Sequence, residues 1–289
     1  MRHENLASYI GKNYQALARG PTAVILADDP VELDSTLRHL LKIGFHNVVL
    51  LADPQIPTPP ALEDAVQRVD YDSFQPQALQ NAVNQLIEPA SGAWLYYGYN
   101  AEYLFYPFCE SRNVHDLLAF HTQERRDAFL SYVVDLYAKD LTAHPNAVST
   151  EEAMLDKSGY YALARPNPDN HNYPRERQLD FFGGLRWRFE EHIPEQRRKI
   201  DRIALFRAKA GLHLRENYTL SDEEFNTYAC PWHNNITTAI ASFRTAKALK
   251  SNPGSRYDIQ DFTWHNSTKF QWHSQQLMDL GLMEPGQWF

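Results

Sequence analysis

One run of residues limits the fold more than any other: TAVILADDPVELDSTLRHLLKIGFHNVVLLADP, residues 22–54. Thr22 to Leu26 reads as a short buried strand that stops at two acids and a proline. Leu33, Leu37, Leu40 and Leu41 then recur at helical spacing, and Gly44 ends the helix. HNVVLLADP is a second apolar strand, stopping at Asp53-Pro54. A strand–helix–strand unit of this size is one βαβ crossover, and a crossover of that kind implies a parallel sheet.

The pattern continues downstream. A proline-rich loop leads to QPQALQNAVNQLIEP, a helix with Leu79, Val83, Leu86 and Ile87 on one face, and then to a third strand, WLYY, from Trp94. Strands alternating with helices give an α/β layered fold. In open sheets of that type ligands sit outside the carboxyl ends of the strands. Asp28, Asp29, Asp53, Asn100 and Glu102 all fall at such ends. VHDLLAFH and the following RRDAFLSYVVDLYAKDL read as helical. The polar stretch from Pro145 to Arg177 reads as a long surface excursion. Gly183-Gly184 is a turn with Leu185 and Trp187 alternating with Arg186 and Arg188. KIDRIALFRA and LHLRENYTL are expected as antiparallel strands. ITTAIASFRTAKALKS and TKFQWHSQQLMDLGL are expected as helices.

Composition narrows the function. A formal charge of -8 argues against non-specific nucleic-acid binding, which needs a basic surface. No apolar stretch approaches a membrane span, and the polar N-terminus does not resemble a secretory signal. Its first twenty residues suit a short amphipathic helix. Two cysteines, Cys109 and Cys230, with no CxxC pattern, suit a reducing cytoplasm without a structural zinc. The chain has no GxSxG elbow, P-loop, GxGxxG or HExxH, so serine hydrolases, P-loop NTPases and standard dinucleotide enzymes are set aside.

Each remaining motif carries two readings. Asp28 and Asp29 can contact a nucleotide's base or ribose, or serve as a helix cap and turn. Asn100 and Glu102, spaced i, i+2 in YNAE, offer two oxygens to one Mg²⁺ or Mn²⁺, or are polar residues at a strand end. Arg186 and Lys199 can neutralise a phosphate, or lie on a solvated strand face. Trp232 can stack on a sugar ring and His233 can donate to a phosphate or act as a base, or both are packed residues.

Taken in order, these pieces resemble a family-2-like bacterial glycosyltransferase of the GT-A fold, from about Thr22 to the C-terminus. ILADDP and the strand ending at Asp53 match the family's opening. Anchored on Trp94 and Tyr106-Pro107, Tyr99 and Ala101 fall on the two aspartates of the family's Asp-x-Asp-Glu, and Glu102 falls on the glutamate. VVDLY places Asp135 on an aspartate position. FGGLRWR is similar to a Gly-Gly-x-Arg turn, KIDRIALF to a lysine-led strand, and CPWHNN to a histidine motif in which Asn235 replaces a lysine.

The resemblance implies a mostly parallel sheet flanked by helices, with an antiparallel and helical C-terminal extension. It implies one domain over residues 1–289, with a nucleotide-binding half at 22–140 and an acceptor-side extension at 141–289. Asp28, Asp29, Asp53, Tyr99, Asn100, Glu102, Arg186, Lys199 and Trp232 would bind the donor, and Asp135 and His233 would be catalytic. A divalent metal, Mn²⁺ or Mg²⁺, would sit at Glu102 and Asn100; with the two aspartates replaced, that site is weak or absent. The implied partners are a nucleotide sugar and a saccharide or glycolipid acceptor for polysaccharide synthesis, in the cytoplasm or at the inner face of the membrane. The alternative is a catalytically silent relative that binds a saccharide or a partner protein.

Overall fold

The computed structural model describes residues 1–227 and 235–288. Along the chain, a two-residue strand β1 (Arg2–His3) precedes helix α1 (Leu6–Arg19), whose first turn is capped by the Asn5 side chain accepting from Ser8 N–H at 2.8 Å. Strand β2 (Thr22–Ala27), helix α2 (Leu33–Lys42) and strand β3 (Asn47–Ala52) form the first crossover. Strand β4 (Gln67–Asp70), helix α3 (Ala78–Ile87) and strand β5 (Trp94–Tyr99) form the second. Strand β6 (Glu102–Phe105) follows a tight turn. Helix α4 (Val114–Gln123) then begins with a reciprocal Asn113–Asp116 capping box.

The second half holds β7 (Ala128–Ala138), β8 (Ala153–Asp156), and the pair β9 (Tyr161–Asn167) and β10 (Tyr173–Phe182). A five-residue helix α5 (Gly184–Arg188) leads to β11 (Asp201–Arg207). Strand β12 (Thr238–Ser242), helix α6 (Arg244–Ser251), strand β13 (Ser267–Lys269) and helix α7 (Ser274–Asp279) complete the described strands and α-helices.

The chain divides into two compact units. The first comprises Met1–Leu104, Cys109–Leu130 and Ile203–Asn226; the second comprises Phe105–Phe108, Ser131–Arg202 and Thr227–Phe289. In the first, strands run in the order β1-β4-β3-β2-β5-β11. The β1–β4, β4–β3, β3–β2 and β2–β5 pairs are parallel, and only β11 runs antiparallel, with Leu205 opposite Tyr96. The α/β expectation holds: the sheet is large and mostly parallel, with flanking helices and a separate antiparallel hairpin. Val24, Ile25, Val48, Val49, Leu50 and Leu51 are all buried. Strands covered on both faces read as continuous apolar runs rather than alternating ones, which is why VILA and VVLLA carry no polar residue.

In the second unit β7 pairs with β12 in parallel, from Ser131↔Thr238 to Asp135↔Ser242, and with β8 antiparallel. β13 adds to β8, and β9 with β10 makes an exposed antiparallel hairpin. Tyr137, Leu185, Ala246, Leu249, Ile259 and Phe262 share a core, against which Phe189 packs.

Several local expectations are corrected here. RRDAFLSYVVDLYAKDL is not helical: residues 128–138 are strand β7. Phe129, Tyr132, Val133, Val134 and Tyr137 are buried aromatic and β-branched residues, types that fit a pleated surface, and full burial hid the strand period. The alternation in LRWR belongs to the short helix α5, with Leu185 alone directed into the core. ITTAIASFRTAKALKS splits into strand β12 and helix α6, and TKFQWHSQQLMDLGL into β13 and α7. LHLRENYTL is a turn closed by a single Leu214–Leu220 bridge. The polar stretch read as an excursion carries β8 and most of the hairpin. Among the described residues no helix is long and apolar enough to cross a membrane.

Candidate functional site

Parallel register places the candidate residues of the first unit side by side. Ala27 pairs with Ala52, Ala52 with Asp70, and Leu26 with Tyr99. Asp28 and Asp53 follow paired residues directly and stand level at the carboxyl edge of β2 and β3, while Asn100, next after Tyr99, ends β5 one register position short of them, level with Ala27. Asp29 lies one residue further on.

A buried amide ties the end of β5 to the loop that follows β2. Asn100 is fully buried, and its Nδ2 donates to Asp29 Oδ1 at 2.7 Å and to the Val31 carbonyl at 2.9 Å. Asn100 Oδ1 accepts from Asp28 N–H at 3.4 Å, and Asn100 N–H reaches the Leu26 carbonyl at 3.3 Å. The next residue, Ala101, holds a left-handed backbone at φ 58°, and its N–H donates to Thr36 Oγ1 at 2.9 Å. Thr36 Oγ1 in turn donates to the Glu32 carbonyl at 2.7 Å, so helix α2 anchors the β5–β6 turn. Glu102 is buried too, and its Oε2 accepts from Tyr99 N–H at 3.0 Å. The Tyr99 hydroxyl is 2.9 Å from that of Tyr218, whose ring stacks on Tyr97. At the β3 end, Arg68 Nη2 donates to the Asp53 carbonyl at 2.7 Å, while Asp53 Oδ1 accepts from Gln55 N–H. Burial pushes the Arg68 guanidinium down, and Asp70, 3.5 Å away, opposes that shift.

In the second unit Asp135 is buried on β7. Arg186 faces it, with Nε 3.4 Å from Oδ1 and backbone N–H 3.3 Å from Oδ2. Burial raises the Asp135 carboxyl above its ordinary value; the Arg186 charge, the Thr245 hydroxyl and the Arg186 N–H pull the other way. Arg186 also donates from Nη1 to the Lys199 carbonyl at 2.6 Å and from Nε to Thr245 Oγ1 at 3.2 Å. Gly184, at φ 61°, lets this happen: a Cβ there would come within 3.1 Å of Asp135 Oδ2. Gly183 lies against the Tyr160 ring, where a side chain would collide.

A second carboxylate, Asp156, sits close by and is equally buried. Its Oδ1 accepts from the Tyr137 hydroxyl at 2.6 Å, from Trp264 Nε1 at 2.7 Å and from Arg188 Nη1 at 3.1 Å. Arg188 also lies over the Trp264 ring at 4.5 Å. Lys199 belongs to a third group. Its Nζ is 2.6 Å from Asp180 Oδ1 and 3.6 Å from Asp201 Oδ2, and Arg165 pairs with the same two acids at 2.9 and 3.6 Å. Burial raises Asp180, but Lys199 and Arg165 outweigh it and hold this carboxyl below its ordinary range. Asp201 stays raised by its deeper burial.

The structure thus gathers Asp28, Asp29, Asp53, Tyr99, Asn100 and Glu102 in the first unit, and Asp135 with Arg186 in the second, where Lys199 keeps its own ion network. Trp232 and His233 lie outside the described residues. Among the described residues, no group of three or more His, Cys, Asp or Glu side chains is placed to hold a metal ion. Asp156, Asp180 and Asp201 were not foreseen as site residues. The alternation in AMLD, ending on an acid, is the only sequence signal that could have pointed to Asp156.

The class these observations define is an α/β protein with a mostly parallel sheet and a row of polar residues at its carboxyl edge. No known family model matches the chain, and no curated protein matches it. Among solved structures it is similar to residues 1–349 of TarS from S. aureus, a glycosyltransferase, with 14% identity and a TM-score of 0.29. That distant likeness covers 40% of this chain and 36% of the TarS chain, so this chain spans about a third of that neighbour's length.

Proposed function

We propose that this chain is a glycosyltransferase-like protein that takes a nucleotide sugar at the carboxyl edge of the first unit's sheet. One observation carries the reading: Asp28, Asp53 and Asn100 all fall at the carboxyl ends of neighbouring parallel strands, within one register position of each other. That is where open α/β sheets bind nucleotides. The resemblance to family-2-like glycosyltransferases rests on the same strand ends and points the same way. In this reading an acceptor hydroxyl on a glycan or lipid attacks the anomeric carbon of the donor. The bond from that carbon to the diphosphate breaks, and a carboxylate takes the hydroxyl proton. The resemblance alone assigns that step to Asp135. By the same resemblance, Arg186, Lys199 and His233 would meet the diphosphate and Trp232 the sugar face. The reaction belongs in the cytoplasm, where nucleotide sugars and lipid-linked acceptors meet.

A second reading has its own support. Asp135, Arg186 and Lys199 are all engaged with partners inside the second unit. Groups already paired must exchange those partners for substrate, which favours a catalytically silent protein that binds a saccharide or a partner protein. A panel of UDP-, GDP- and CMP-sugars in thermal unfolding separates the two, because a ligand that binds only the folded state raises the melting temperature. A shift with one donor, accompanied by release of the nucleotide on adding acceptor glycans, is expected of the enzyme. A shift without turnover points to the silent relative, and no shift with any donor removes the nucleotide site.

A further inference from the structure

The Tyr99–Glu102 turn is where the sequence pattern puts metal ligands, and its geometry is that of a closed joint. A divalent cation such as Mg²⁺ or Mn²⁺ needs hard oxygen donors that converge on one point and remain open to it. Asn100 aims its NH₂, not its oxygen, at the nearest carboxylate, Asp29 Oδ1, at 2.7 Å. The reverse orientation would set an oxygen against a carboxylate oxygen at that distance, so the hydrogen-bond network fixes the amide this way round. Its oxygen faces the Asp28 N–H. Glu102 turns back on its own strand to take the Tyr99 N–H, and is almost wholly buried. Ala101 brings no ligand atom, and the Tyr99 hydroxyl meets Tyr218. In either register of the motif, as Asn100 with Glu102 or as Tyr99 with Ala101, the residues do not fit a cation.

We infer that the β5–β6 turn is an amide strut which takes no divalent cation, and that a nucleoside diphosphate sugar binds this chain without one. Asn100 is the strut: its single amide spans the acidic β2–α2 loop and the turn, joining Asp29 and Val31 to residue 100 across about seventy positions of sequence. An aspartate could not do this, because it has no proton to give to Asp29 or to the Val31 carbonyl. The second half of the inference rests on the nucleotide-sugar reading; the first half does not.

Two measurements on the full chain keep the halves apart. In the first, Mn²⁺ is titrated into the protein and followed by electron paramagnetic resonance. The free-ion signal is expected to match buffer alone. A bound fraction that disappears in Glu102→Gln would overturn the inference. In the second, melting curves are recorded with UDP-glucose and with the donor selected from the panel, in EDTA and in Mn²⁺. Equal shifts in the two buffers are expected. A shift that needs Mn²⁺ sinks the inference and leaves the nucleotide reading standing. No shift in either buffer, with no bound Mn²⁺, ends the nucleotide reading and upholds the strut.

Discussion

The two units handle buried polarity in opposite ways. At the carboxyl edge of the first, Asn100, Thr36 and Glu102 bond mainly to backbone N–H and C=O groups. In the second, full charges meet full charges: Asp135 with Arg186, Asp156 with Arg188, and Asp180 and Asp201 with Lys199 and Arg165. Single hydrogen bonds of this kind are worth about 1 kcal/mol each, roughly 1.5–3 where a carboxylate accepts, and their loss is local. Buried ion pairs gain little over an apolar filling, yet breaking one strands the survivor. The first arrangement fixes the shape of a strand-end loop, whereas the second locks a core. An arginine that looks free in sequence can therefore be an internal counter-ion.

The contrast is broken most directly at Arg188. Arg188→Met keeps volume and removes charge, leaving Asp156 with only its neutral donors Tyr137 and Trp264. Loss of a buried partner costs roughly 3–5 kcal/mol, read as a lowered urea midpoint. A loss below about 1 kcal/mol, the size of an exposed pair, would show that Asp156 is solvated and that the units do not differ as described.

Asn100→Asp tests the other side. The variant forfeits two donated hydrogen bonds and sets a carboxylate against Asp29, for a cost of about 2–3 kcal/mol at neutral pH. Like charges raise the folded-state values of that pair. The penalty therefore fades as pH falls and one acid takes up a proton, and it grows as pH rises. Urea unfolding at pH 4.5 and 7.5 measures this; a pH-independent loss would remove the like-charge account.

How far the sequence disclosed all this follows from the range of the interactions. The first crossover was legible because Leu33, Leu37 and Leu40 repeat along one helix, and VILA and VVLLA are unbroken runs. Asp28, Asp53 and Asn100 were legible for the same reason, since strand ends can be counted along the chain. The second unit hid its logic in long-range pairs: Asp135 meets Arg186 at a separation of 51 residues, and Asp156 meets Trp264 at 108. No local pattern encodes such partners. Strand β7 was misread because both its faces are covered, and α5 because five residues are too few to display a helical period. The role of Asn100 was missed because composition reveals an amide but not which way it faces.

A smaller effect separates the carboxylates of the second unit by sign. The folded-state value of Asp135 is raised, so its contribution is full below the ordinary 3.8 and is lost as pH climbs through the elevated value. Asp201 follows the same sign. Asp180 is lowered, so its contribution is present above the ordinary value and lost as pH falls. Asp135→Asn removes one rising-pH loss. Its stability curve should be flatter than the parent's across mildly acidic pH, while the acid limb due to Asp180 is retained. If the limb flattens and the mildly acidic slope persists, the two groups have been assigned the wrong way round.

The smallest effect is also the finest probe of the strut. Ala101 and Gly184 share a left-handed backbone, at φ 58° and 61°, but for different reasons. Gly184 adopts it without a Cβ, which would press on Asp135, whereas Ala101 is held there by Thr36 on one side and by the bonds of Asn100 on the other. A left-handed alanine costs about 1–2 kcal/mol. Replacing it by glycine recovers that, loses roughly 0.5–1 kcal/mol to backbone entropy, and gives up a buried methyl worth about 0.8 kcal/mol. Ala101→Gly should thus leave the stability almost unmoved, within about 0.8 kcal/mol by this sum of opposing terms. A stabilisation well above that would mean that the turn is strained against its anchors rather than set by them, and the hydrogen bonds of Asn100 would then be a consequence of the fold instead of the joint that shapes it.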